Sequence, residues 1–125
     1  MYAVSVSRSF VAQHYLTVPD PGPEGSLHSH RFTAEATFRG PELDEYGYLV
    51  DIDAVVDALE AVVDSLRDRT LNDLAAFEGL NPSAEHLARL VGDRLLERLE
   101  PETATTLEIE IREDDVARVT HERAL

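Results

Sequence analysis

Hydrophobic positions along this chain recur with two periods, and the switch from one to the other predicts its elements. Over residues 3–12, Val4, Val6, Phe10 and Ala12 share even parity with serines between them, the pattern of a half-buried strand, and a bulge is expected near Arg8. Residues 17–26 (TVPDPGPEGS) carry three prolines and two glycines and predict a loop. Phe32, Ala34, Ala36 and Phe38 then point one way, and Arg31, Thr33, Glu35, Thr37 and Arg39 the other. This second strand ends at Gly40-Pro41.

The period then changes. Ile52, Val55, Val56, Leu59, Val62, Val63 and Leu66 form one stripe of an amphipathic helix. Asn81-Pro82 predicts the start of a second helix, with Asn81 as N-cap and Pro82 as its first residue. Ala84, Leu87, Ala88, Val91, Leu95 and Leu99 form its stripe, and Pro101 closes it. Leu107, Ile109 and Ile111 alternate with Glu108, Glu110 and Arg112 as a third strand, followed by a tight turn at Asp114-Asp115 and a fourth strand over residues 116–121. The order β-β-α-α-β-β predicts a single α+β domain over residues 1–125, a two-layer sandwich with two helices on one face of a four-stranded antiparallel sheet. Neither Pro nor Lys blunts the sheet edges, which leaves them available for assembly between copies.

Charge narrows the function. Against 25 acidic residues stand 11 basic ones, all Arg, for a net charge of −14. Such a surface cannot neutralise a run of phosphates, which excludes nucleic acid, and anionic membranes are disfavoured as well. With no Cys, disulfides, thiolate metal sites and a cysteine nucleophile are excluded. The sequence contains no apolar run of membrane-spanning length and no secretory signal pattern, so a soluble, cytoplasmic protein is expected. Acidic residues are spread along the chain (Asp44, Glu45, Asp51, Asp53, Asp57, Glu60, Asp64 and Asp68 among them). That spread reads as whole-surface adaptation to a salt-rich cytoplasm, with high-GC codon usage as the alternative.

His28 and His30 share a strand face with Phe32 and Ala34, and His14 has the parity of Phe10 and Ala12. Three neutral imidazoles at strand ends can hold a zinc ion with a fourth position left for substrate. On spacing alone, His-x-His is also a frequent accident. His86 and His121 read as surface or structural residues.

Ser9-Phe10-Val11-Ala12-Gln13-His14-Tyr15-Leu16 resembles the Phe-x-Ala-x-His-x-Leu opening of the 6-pyruvoyltetrahydropterin synthase family, which includes the 6-carboxytetrahydropterin synthases of queuosine and archaeosine biosynthesis. Leu27-His28-Ser29-His30 is similar to its His-Gly-His motif, and Gly47-Tyr48-Leu49-Val50-Asp51 to the segment leading into its first helix. Leu71-Asn72-Asp73, Asn81-Pro82-Ser83-Ala84-Glu85 and Ile111-Arg112-Glu113 resemble three further family segments, in order along the chain. The resemblance implies the T-fold, with trimers closing a barrel and commonly stacking into hexamers. It also implies active sites at subunit interfaces and zinc held by His14, His28 and His30. Glu113 would anchor the substrate by accepting two hydrogen bonds from the amino-pyrimidinone edge of a pterin. Without the family context it would read as a solvated turn acid.

At two places the sequence departs from the family. Its general base is a Cys four residues before the first motif His, where this chain has Glu24. Its Asp-His pair before Leu-Asn is replaced by Arg67 and Asp68. Glu24 and Asp68 are therefore the candidate catalytic residues, although an acid in a Pro/Gly loop and one at a helix end are ordinarily just solvated. Three functions follow. One is a variant lyase or aldolase acting on a dihydropterin such as 7,8-dihydroneopterin triphosphate, with Glu24 as base. Family branches carrying Glu near the Cys position, linked to folate-type pterin synthesis, favour it. The second is the usual reaction with His86 or His121 of a neighbouring subunit as proton donor. The third is a pterin- or zinc-binding homologue without turnover.

Overall fold

The computed structural model describes every residue from Met1 to Leu125. Strands β1 (Tyr2–His14) and β2 (His28–Gly40) precede helices α1 (Ile52–Asp64) and α2 (Ala84–Leu96), and strands β3 (Thr106–Glu113) and β4 (Ala117–Ala124) follow. Short 3-10 turns occur at Gly22–Gly25, Leu71–Asp73 and Ala75–Phe77. The strands form one four-stranded antiparallel sheet, as the sequence pattern predicts, and their order across it is β1-β2-β3-β4.

One face of the sheet carries Val6, Phe10, Ala12, Phe32, Ala34, Ala36, Phe38, Leu107, Ile109 and Ile111, all buried. Helix α1 lies over β1, and α2 over β3 and β4. Val55, Leu59, Val62 and Val63 of α1 and Leu87, Val91 and Leu95 of α2 complete a continuous core. The opposite face has no helix and is polar: Ser5 bonds Thr37 at 2.7 Å, Ser9 bonds Thr33 at 2.9 Å, and Arg112 joins Glu35 at 2.6 Å and Glu110 at 2.9 Å. No helix is long and apolar enough to cross a membrane.

Four local expectations change. The β1–β2 register runs unbroken from Tyr2↔Gly40 to His14↔His28, so there is no bulge at Arg8. Arg8 keeps its place on the helix side because its long stem lets the guanidinium reach Glu60 of α1 at 2.9 Å. Helix α2 is capped by Ser83, whose hydroxyl accepts the His86 N–H at 3.1 Å, and not by Asn81. The Asn81 amide oxygen instead accepts the Thr17 N–H at 2.9 Å. Helix α2 ends at Leu96, well before Pro101, and β4 runs from Ala117 through Ala124, past its expected end.

The free edge of β1 is covered at one end. The Asp68 N–H bonds the Val11 carbonyl at 2.7 Å, the Gln13 N–H bonds the Arg69 carbonyl at 2.9 Å, and Gln13 and Thr70 form a parallel bridge. The β3–β4 connection turns on Asp114 (φ 52°) and Asp115 (φ 60°), closed by the Val116 N–H on the Glu113 carbonyl at 3.0 Å. Asp is one of the few side chains that tolerate this left-handed geometry, so the expected tight turn forms here.

Candidate metal centre and active site

The two longest strands end on a cluster of imidazoles. His14 closes β1 directly opposite His28, which opens β2, and His30 follows two residues on along the same face. Ring centroids are 4.6 Å apart for His14 and His28, 4.8 Å for His28 and His30, and 5.2 Å for His14 and His30. Phe32 lies beneath, 5.9 Å from His14 and 5.6 Å from His30. One nitrogen from each histidine lies within 4.8 Å of the other two.

Hydrogen bonds decide which nitrogens those are. The Nδ1 of His14 bonds the Pro82 carbonyl at 2.9 Å, that of His28 bonds the Ser26 carbonyl at 2.7 Å, and that of His30 meets the Asp114 carboxylate. Carbonyls and carboxylates only accept, so each Nδ1 carries the proton and each Nε2 keeps its lone pair. The Nε2 atoms of His28 and His30 are buried without a hydrogen-bond partner. Buried polar atoms left unpartnered are uncommon, and converging lone pairs backed by fixed acceptors are what a bound cation requires. Burial pushes the His14 imidazole below its ordinary pKa, with His28 and His30 adding to the effect and the Pro82 bond opposing it. A neutral ring is the form that ligates metal. The three residues therefore fit a metal ion held by three imidazole nitrogens.

Glu113 ends β3 opposite Phe32, on the triad's side of the sheet. Its Oε1 stands 2.7 Å from His30 Nε2, within ion-pair reach but not aligned for a hydrogen bond. Asp114 follows, its carboxyl held below the usual range by bonds from His30 Nδ1–H and the Arg31 N–H.

The remaining candidates lie at different remove. Glu24 is exposed in the Gly22–Gly25 turn of the loop joining His14 to His28, and its backbone carbonyl accepts the Leu16 N–H at 2.9 Å. Asn72 exchanges bonds with the Tyr15 backbone at 3.0 and 2.9 Å, so the Leu-Asn and Asn-Pro segments both serve to hold the chain as it leaves His14. Asp68 (φ 60°) is exposed and lines a separate concavity of about 280 Å³ with Ser9, Phe10, Val11, Arg31 and Arg67. No triad histidine borders that concavity. His121 Nδ1 lies 3.3 Å from Arg123, which is bound to Asp93 of α2, and the His86 N–H belongs to the α2 cap.

A family model described as 6-pyruvoyl tetrahydropterin synthase matches residues 3–124. The chain belongs to that family. Its fold is shared with the 6-pyruvoyl tetrahydropterin synthase of Caenorhabditis elegans (TM-score 0.78, 22% identity, 98% of this chain and 97% of that one). It is shared equally with that of Plasmodium falciparum (TM-score 0.82, 16% identity, 99% and 98%). A third match is a Plasmodium vivax 6-pyruvoyltetrahydropterin synthase in which a catalytic glutamate is replaced by alanine (TM-score 0.83, 14% identity, 99% and 98%). The sheet with two helices on one face is thus the T-fold of the 6-pyruvoyl tetrahydropterin synthases, and membership supports a lyase-type function in pterin biosynthesis.

Within this 6-pyruvoyl tetrahydropterin synthase homologue, the acceptors behind the histidines are barely legible in the sequence. Ser26 and Pro82 act through backbone carbonyls, which leave no trace in side-chain pattern. Asp114 did leave a signal, since a His-x-His pair on a strand calls for an acid nearby to fix a ring, but it read only as a turn residue.

Proposed function

We propose that this protein is a zinc-dependent lyase acting on a dihydropterin, with 7,8-dihydroneopterin triphosphate the first substrate to test. The observation that carries this reading is the set of three imidazoles whose Nδ1 atoms are committed elsewhere and whose Nε2 atoms converge. Zinc held by His14, His28 and His30 would supply Lewis acidity, polarising an oxygen of the substrate side chain. Glu113, on the same sheet face, would accept two hydrogen bonds from the amino-pyrimidinone edge and so fix the ring beside the metal. For this its carboxylate turns away from His30.

Glu24 is the proposed base. It makes no ion pair, and its loop begins and ends on triad histidines. The Plasmodium vivax relative has a glutamate as a catalytic residue, which supports a carboxylate in that role here. A carboxylate takes the proton from a substrate carbon most efficiently when held within hydrogen-bond reach of it. Asp68 would act on a triad only from another subunit, because its concavity within one chain is separate. This favours an assembly of trimers or hexamers with active sites between chains. The product would enter pterin or deazaguanine biosynthesis in the cytoplasm.

A second reading, a pterin- or zinc-binding homologue without turnover, is favoured by Arg67. At the position of the family's acid, it is engaged by Asp64 and Glu60. Incubating zinc-loaded protein with 7,8-dihydroneopterin triphosphate and weighing the product by mass spectrometry distinguishes the two. Loss of the triphosphate or of a side-chain fragment supports the lyase, and recovery of intact substrate supports the binder.

A further inference from the structure

We infer that Asp114 is the positioning residue of the metal centre: it selects the tautomer that makes His30 a ligand, and asparagine in its place reverses that tautomer. The inference rests on reading the triad as a metal site.

Strand β3 stops supporting β2 at the pair Phe32↔Glu113. Beyond it, the residues that carry His28 and His30 have β1 on one side only. Asp114 takes over where the ladder ends. Its N–H bonds the Arg31 carbonyl at 2.9 Å, and its Oδ1 accepts the Arg31 N–H at 2.8 Å, so one turn residue satisfies both backbone groups beside His30. With one oxygen committed to that backbone donor, the other meets His30 Nδ1.

His30 stands between two carboxylates, Asp114 at Nδ1 and Glu113 at Nε2. A neutral ring has a single proton to give. Given to Asp114, it leaves the Nε2 lone pair for a metal and Glu113 free for substrate. Held on Nε2, on the side of Glu113, it blocks the metal position. His14 and His28 are held by backbone carbonyls, so His30 is the ligand whose tautomer hangs on a side chain.

Asparagine offers one acceptor and one donor group where aspartate offers two acceptors. The Arg31 N–H cannot rearrange, so the amide oxygen must face it. The amide NH₂ then faces His30 Nδ1, which can accept only by moving its proton to Nε2, where Glu113 Oε1 waits 2.7 Å away. Asparagine also suits a φ of 52°, so the turn survives the exchange.

Two readouts test this on the full-length protein: zinc affinity by competition with a chelator, and the ¹⁵N resonances of the His30 ring in metal-free protein well above the ordinary histidine pKa. Asp114→Asn and Asp114→Gly should each lose about 10–100-fold in zinc affinity, the usual scale for removing such a support. Wild type should carry its His30 proton on Nδ1 and Asp114→Asn on Nε2. The neighbouring Asp115→Asn should match wild type in both. The inference is overturned by wild-type affinity in both Asp114 variants, by an Nδ1 proton in Asp114→Asn, or by an equal loss in Asp115→Asn. A wild type that binds no zinc contradicts the metal reading instead, and the nitrogen resonances of metal-free protein still decide the tautomer.

Discussion

His14 donates its Nδ1 proton to the carbonyl oxygen of Pro82, 68 residues further on, across 2.9 Å. That oxygen is available because of where α2 begins. With Ser83 as N-cap, the Leu87 N–H bonds the Ser83 carbonyl at 3.0 Å and the His86 N–H is taken by the Ser83 hydroxyl. Had Pro82 been the first helical residue, its carbonyl would have gone to the His86 N–H. A helix start two residues later thus leaves an acceptor for a ligand on β1.

The burial that accompanies this contact has a consequence for stability. Because the folded-state pKa of His14 lies below its unfolded value of 6.5, the unfolded chain takes up the proton first as pH falls. The contribution of neutral His14 is therefore complete above that value and is lost as pH falls through the folded pKa. Urea midpoints of metal-free wild type should drop relative to those of His14→Gln over this window. A difference that does not change with pH contradicts this.

Glu24→Gln keeps size and hydrogen bonding but cannot accept a proton. It should lower turnover by about a hundredfold or more with substrate binding little changed. Glu113→Gln should chiefly weaken binding. Steady-state kinetics with 7,8-dihydroneopterin triphosphate separate the two, and unchanged turnover in Glu24→Gln moves the base elsewhere.

If Asp68 serves a triad on another chain, Glu24→Gln and Asp68→Asn proteins should each be weakly active, and mixed assemblies of the two should recover part of the wild-type rate. Light scattering should give a mass in multiples of three chains. A stable monomer, or mixtures no better than their parents, removes Asp68 from the chemistry.

A net charge of −14 with no Lys should make stability depend on salt. Lower salt lengthens the Debye length and unscreens carboxylate repulsion. Thermal midpoints should rise along a potassium chloride series, and a flat series assigns the acidity to codon usage.

Alternation makes the faces of β1, β2 and β3 legible in the sequence, because a period of two leaves no freedom about which residues share a side. Parity alone therefore assigns His14, His28 and His30 to the core face. Interruptions mislead. Arg8 looks like a break in the alternation, yet its stem spans the gap to Glu60. Asn81 looks like a cap, yet its amide oxygen is taken by Thr17. Glu113 is legible as more than a turn acid only through family resemblance, since nothing in β3 alone says that it faces His30. Asp114 lies 84 residues from the ring it supports, a distance that no local pattern bridges.

The convergence of His14, His28 and His30 on one zinc ion is the claim on which the rest depends. Elemental analysis of protein purified without chelator tests it most directly. The account predicts one zinc per chain in wild type and its loss in the His28→Ala/His30→Ala double variant. Wild type without metal, or a double variant with its zinc content unchanged, would contradict it.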